Sequence, residues 1–275
     1  MEHIHELRNG LETAFINQSV NSNLAFRPQF VSNDYRQGKR VISSIEQELQ
    51  NCEEFLISVA FITLGGITPL LQILKELEQK GIKGKILTTD YLSFNDPAAL
   101  EKLHSLKNIE LRMFCTNEDK DGFHTKGYIF KKEEVYRIII GSSNMTAGAL
   151  KVNREWNTRI VGYEEGEVVR DILNEFQTLW SDKHSLAYDD FIDNYRVRYE
   201  LIKKQRKIAR ETTTVSLEQY KLQPNAMQVA FVRNIKKLIN MNESKALLIS
   251  ATGERGIFVT GRRKPVFTRV LEAWS

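Results

Sequence analysis

The sequence predicts an α/β fold, a mixed sheet flanked by helices with a helical extension after it. Three observations predict it. Between residues 41 and 114, short β-rich apolar runs alternate with segments of helical periodicity, as in βαβ units. Three more strand-like runs follow close together up to residue 162. The 275 residues, 41% hydrophobic and 27% charged, have the composition of a globular chain able to bury a core.

In order along the chain, Ile4, Leu7, Leu11 and Phe15 predict an amphipathic helix within residues 1–19, followed by a polar stretch through Gln37. A helix is expected over 41–49, a strand over 55–62, a break at Gly65-Gly66, a helix over 68–79 and a strand over 85–89. Pro97 stands at a helix start with Leu100, Leu103 and Leu106 behind it, and 109–114 reads as the next strand. Strands over 127–130, 136–140 and 158–162 precede a helix over 167–180, whose Val168, Ile172, Phe176 and Leu179 stripe should pack on the sheet. Residues 188–210 form a long, charged helical stretch with few apolar anchors, and Thr212-Thr213-Thr214 reads as a linker. The expected divisions are a main domain at 1–185, a basic helical connector at 186–216 and a C-terminal segment at 217–275.

The absence of an eighteen-residue apolar tract and of a signal peptide points away from the membrane and to the cytoplasm. Cys52 and Cys115 are too few and too far apart for a disulfide framework or a Cys-rich zinc site. The net charge of +4 is uneven, since residues 196–237 hold eleven Lys or Arg against three Glu. Such a stretch attracts phosphate backbones; a long solvated helix has the same composition.

His124 and Lys126 are two apart at the start of an apolar run, so an extended strand points both to one face, where they can meet one phosphate. A β run, Tyr136 to Ile140, then ends directly in Gly141-Ser142-Ser143-Asn144. Backbone amides and short polar side chains at a strand's carboxyl end suit phosphate oxygens.

Together, His124-Thr125-Lys126 and Gly141-Ser142-Ser143-Asn144 resemble the His-x-Lys and Gly-Ser-x-Asn halves of the phospholipase D superfamily motif. The Asp that this family carries five residues after the Lys is here Lys131. The metal-independent restriction endonucleases of the superfamily also lack it and complete the site with a Glu after the Asn. Glu155, in Asn153-Arg154-Glu155-Trp156-Asn157, resembles that Glu. The resemblance implies that His124 attacks phosphorus, that Lys126 and Asn144, helped by Ser142 or Ser143, stabilise the phosphate oxygens, and that Glu155 holds the far ring nitrogen of His124. It implies no metal and no cofactor.

Such enzymes use two His-x-Lys halves. Only one is present and no internal repeat supplies another, so the resemblance implies a homodimer with a shared site. His104 and His184 lack the motif and read as surface residues, while His3 and His5 resemble a mobile end.

More widely, residues 20–180 resemble the phospholipase D-like domain found ahead of superfamily 2 helicases in bacterial restriction-type proteins. The likeness rests on Phe26-Arg27-Pro28, on the runs 58–63 and 87–91, and on 123–130. Residues 222–228 and 246–253 resemble the start of a helicase motor, but Glu254-Arg255-Gly256-Ile257 stands where a phosphate loop would carry Gly-Lys-Ser/Thr. No ATPase activity is expected, and the segment reads as a truncated or frameshifted helicase start. The expected function is a metal-independent endonuclease acting on DNA in a restriction-like defence system, with a possible separate helicase or specificity subunit. The alternative is a DNA-binding or assembly module without catalysis. A lipid phosphodiesterase is less favoured, since nothing resembles a membrane-surface helix.

Overall fold

The computed structural model describes residues 3–116 and 122–212, and beyond these 233–234, 236–238, 240–241, 245–248 and 257–260. The chain divides into two compact units, Met1–Ile208 and Ala209–Ser275.

In the first unit the chain runs through helix α1 (Ile4–Phe15), strand β1 (Gln29–Val31), α2 (Val41–Asn51), β2 (Glu54–Val59), α3 (Leu64–Ile67), α4 (Leu71–Gln79) and β3 (Lys83–Thr89). It continues through α5 (Pro97–His104), β4 (Ile109–Phe114), β5 (Lys126–Lys132), β6 (Val135–Gly141), α6 (Ala147–Lys151), β7 (Asn157–Tyr163), α7 (Glu167–Ser181), β8 (Ser185–Ala187) and α8 (Tyr188–Thr212). The strands form one eight-stranded sheet in the order β1-β7-β6-β5-β2-β3-β4-β8. β2, β3 and β4 are mutually parallel, and the remaining pairs are antiparallel. This is the predicted α/β architecture, a mixed sheet covered by helices.

The strands are buried on both faces, with alternate residues feeding two cores. Phe55, Ile57, Val59, Tyr128 and Phe130 join α2, α4, α5 and the first turns of α8 in one cluster. Leu56 and Ile129 face the other, with Ile138, Val169, Phe176 and Trp180. Burying such a side chain contributes about 2–3 kcal/mol, so a register slip that inverted the faces would be costly.

Several expectations change. Gly65-Gly66 is a turn of α3 rather than a break, capped by the Thr63 hydroxyl. Gly66 is there for close approach, because a Cβ on it would stand 2.0 Å from the Met145 carbonyl oxygen. The buried stripe of α7 is Val169, Phe176 and Trp180, and Val168 is exposed. The apolar residues of α7 fit two stripes about 100° apart, and packing of the Phe176 and Trp180 rings selects the one that includes Val169. α8 is better anchored than its charge suggests, since Tyr188, Phe191, Ile192 and Tyr195 are all in the core. In α1, Leu7 is buried but Leu11 and Phe15 are exposed. His3 stacks on Phe26 at 4.8 Å. β1 and β8 are three-residue strands without a legible alternation.

Among the described residues no helix is long and apolar enough to cross a membrane. In the second unit Lys245–Leu248 (β9) pairs antiparallel with Ile257–Thr260 (β10). Gln228 and residues 249–256, where the helicase likeness rests, lie outside the described residues.

A buried ion cluster ties α2 to the antiparallel half of the sheet. Arg159 donates to Glu48 Oε1 at 3.0 Å, and Arg137 Nε lies 3.8 Å from Oε2. Arg159 also donates to the carbonyls of Leu24 and Arg27, pinning the segment that leads into β1. Removing one partner of a buried pair strands the other, at a cost of about 3 kcal/mol or more. Arg159→Leu is expected to lower the unfolding free energy by about that amount, read as a reduced urea midpoint at unchanged slope.

Candidate active site

The site is assembled at one end of β2. Val59 pairs with Lys126, and beyond it the backbone keeps finding partners. Ala60 N–H donates to Thr125 O at 3.1 Å. Phe61 N–H donates to Asn144 Oδ1 at 3.1 Å, and its carbonyl accepts from Met145 N–H at 3.0 Å. Ile62 bridges Met145. Three consecutive residues thus fix the His124 segment on one side and the Asn144 turn on the other. The carboxyl ends of β2, β3 and β4 point to this edge, where open α/β sheets bind ligands.

His124 and Lys126 meet there. Lys126 Nζ lies 2.8 Å from His124 Nδ1 and 3.4 Å from Nε2, and it donates to the His124 carbonyl at 2.9 Å. An ammonium has no acceptor, so the contact requires a lone pair on the ring nitrogen and an uncharged imidazole. Loss of hydration at the site lowers the His124 pKa from its ordinary value, and the Lys126 charge lowers it further. The Lys126 pKa is also lowered, by burial, against an opposing pull from Glu155. Thr125 hydrogen-bonds Ser58 through their hydroxyls, 2.6 Å apart, which fixes the middle residue of the motif.

The Gly141-Ser142-Ser143-Asn144 turn is held by β7. A Cβ on Gly141 would stand 2.2 Å from the Trp156 carbonyl oxygen, so only glycine lets the strand end pass this close. Ser142 N–H donates to Trp156 O at 3.1 Å and Trp156 N–H to Ser142 Oγ at 3.0 Å. The Ser142 hydroxyl donates to the Glu155 carboxylate. Asn144 uses its carbonyl on Phe61, so its Nδ2 is the group it can offer to a ligand.

The structure therefore brings His124, Lys126, Asn144, Ser142 and Glu155 to one edge, with two differences from expectation. The partner of Glu155 is Ser142, and its charge acts on Lys126; no hydrogen bond joins it to His124 here. Ser143 is fully buried. Its N–H donates to Asn157 Oδ1 at 3.2 Å, and its Oγ accepts from Asn157 Nδ2 at 2.9 Å. It shapes the turn and is not presented to a phosphate.

Asn157 and Tyr128 were not foreseen. Asn157 also donates to Val31 O at 3.2 Å, and the Tyr128 hydroxyl donates to Ser143 O at 3.1 Å. The second Asn of Asn153-Arg154-Glu155-Trp156-Asn157 was the available signal, since a polar residue starting a buried strand needs partners. Among the described residues, no group of three or more His, Cys, Asp or Glu is placed to hold a metal ion.

Residues 45–180 match the family described as "Cardiolipin synthase, PLD-like domain". The chain carries a phospholipase D-like domain. The matched span includes all five residues at the site edge, and the domain is that of a phosphodiester hydrolase. No curated protein sequence matches the chain significantly. Among solved structures, NucT from Helicobacter pylori is similar at 15% identity, with 58% of this chain and 98% of that one covered and a TM-score of 0.47. Nuc from Salmonella typhimurium, a phospholipase D family member, is similar at 16% identity over 59% and 99%, with a TM-score of 0.45. The yeast tyrosyl-DNA phosphodiesterase is similar at 14% identity over 56% and 39%, with a TM-score of 0.39.

Two outcomes follow for the phospholipase D-like site. Asn157→Ala removes the partner of the Ser143 amide and hydroxyl, and is expected to cost about 2 kcal/mol in chemical denaturation, whereas Asn157→Asp keeps the acceptor and costs less. In an NMR titration His124 should lose its proton below the ordinary histidine value of about 6.5. Lys126→Met removes a charge that disfavours the imidazolium, so the His124 midpoint should move up; a downward or absent movement would contradict the contact.

Proposed function

We propose that the phospholipase D-like domain is a metal-independent endonuclease that cleaves DNA through a phosphohistidine at a site shared by two copies of the chain. The observation that carries this reading is the uncharged His124 held against Lys126 at a strand end, beside Asn144, Ser142 and Glu155. A ring nitrogen of His124 attacks phosphorus and forms a P–N bond while the P–O bond to the leaving strand breaks. The departing oxygen takes a proton from the same histidine of the second copy. Water then attacks the phosphohistidine, gives up its proton to that second histidine, and releases His124. Lys126, Asn144 Nδ2 and the Ser142 hydroxyl offset the charge on the non-bridging oxygens. Glu155 orients Ser142 and balances Lys126.

The shared site follows from the single His-x-Lys. The exposed pair Phe30 and Trp156, 64% and 74% accessible with ring centroids 5.8 Å apart, flanks Glu155 and offers an apolar surface for the second copy. Uncovered aromatic groups of this kind mark contact surfaces. The helicase likeness of residues 222–253 supports a place in a restriction-like system, with a motor or specificity subunit supplied separately.

The deciding experiment incubates purified wild-type and His124→Ala protein with plasmid and single-stranded DNA in EDTA without ATP. Wild type is expected to cut, and His124→Ala to be slower by about 10³-fold or more while still binding DNA. Salt-sensitive DNA binding by both with cleavage by neither would replace the nuclease with a binding or assembly module. Hydrolysis of phosphatidylglycerol vesicles with DNA untouched would move the substrate to lipid.

A further inference from the structure

The basic character of α8 draws attention to it as a nucleic-acid track, but two of its arginines are spent inside the protein. Tyr195, Arg198 and Arg206 lie on one helical stripe against the loop that follows β3. The Tyr195 hydroxyl donates to Asn95 O at 2.9 Å. Arg198 donates to Asp90 Oδ2 at 2.7 Å and to Asp90 O at 3.2 Å. Arg206 donates to Leu92 O at 2.5 Å and lays its guanidinium 4.0 Å from the Phe94 ring centre.

The loop they hold is strained. Leu92 and Ser93 have φ of 55° and 48°, a left-handed conformation that residues with a Cβ keep only where their surroundings impose it. Asn95, fully buried, fixes the loop's far end by bonds to Ile62 N and the Thr89 carbonyl.

Two routes lead from this loop to His124. Phe94 packs edge-on against Phe61 at 5.1 Å, and Phe61 packs edge-on against the His124 ring at 6.0 Å. Asp90 Oδ1 accepts both the N–H and the hydroxyl of Thr116 at 2.8 Å, at the root of the segment that ends in His124. We propose that Arg198 and Arg206 of α8 are positioning residues for His124, Arg206 through Phe94 and Phe61, Arg198 through Asp90 and Thr116. The proposal rests on the reading of His124 as the nucleophile.

The test uses the full chain with Arg206→Ala, Arg206→Lys and, as a second variant of the same route, Phe94→Leu. His124 ring signals are followed by NMR and assigned with His124→Ala, alongside steady-state cleavage. Arg206 is at the surface end of the stripe, so the fold should survive its loss. Arg206→Ala and Phe94→Leu are expected to shift the His124 signals and lower kcat about tenfold, as misplacement of a reacting group does, with KM and salt dependence changed less than about twofold. Arg206→Lys keeps a cation over the ring and should recover most of the rate. Unmoved His124 signals would overturn the proposal. So would a loss confined to KM with a shallower salt dependence, which would make Arg206 a phosphate contact. If wild type cuts no DNA, the nuclease reading fails, while the ring signals still decide whether α8 positions His124.

Discussion

The run from Glu54 to Thr63 governs the molecule. Its first part is β2, paired with β3 on one side and β5 on the other. Past Val59 it leaves the regular ladder, yet its backbone groups are buried and must be paired. The partners they find are Thr125, Asn144, Met145 and Asn95. The candidate catalytic side chains are therefore placed by main-chain hydrogen bonds rather than by contacts among themselves. A one-residue slip of β5 on β2 would turn Lys126 to the opposite face and dismantle the site without unfolding the sheet.

That arrangement also sets the charges. Lys126 is close enough to His124 to keep its ring uncharged, which a nucleophile needs, and is partly desolvated in consequence. Glu155 partly compensates the ammonium and holds the Ser142 hydroxyl. A carboxylate bonded directly to His124 would raise the imidazole pKa, opposing the effect of Lys126. The observed placement on Ser142 leaves the two influences on His124, loss of hydration and a nearby cation, acting in one direction.

Much of this was legible in the sequence, because the long strands and helices carry strong periodicity and the motif residues fall at element ends. The strands over 109–114 and 136–140 and the helix over 167–180 were read to within a residue or so of β4, β6 and α7. What escaped depends on tertiary contact. Gly66 reads as a break until Met145 is known to lie against it. β1 is set by pairing with β7, and its three residues have no pattern of their own. The α7 stripe could be drawn two ways, and only the sheet chooses. At the site, Ser142 and Ser143 are indistinguishable in sequence. The alternation along the strand end turns one outward to Glu155 and the other inward to Asn157.

The same geometry bears on the departure at position 131. Lys131 lies at the other end of β5, five residues from Lys126, about 17 Å away at about 3.4 Å per residue. There its ammonium lies 5.3 Å from the Tyr136 ring, and its carbonyl accepts from Glu53 N–H at 2.8 Å. A lysine at that distance cannot touch a phosphate bound at His124. The change removes an acid from the far rim of the sheet and leaves the reacting edge intact. Glu155 is at that edge because β7 begins at Asn157 in register with Gly141, so the residue two before the strand falls beside Ser142. Loss of the Asp and decay of the site are therefore separate matters: the acid that the edge requires enters from a neighbouring strand.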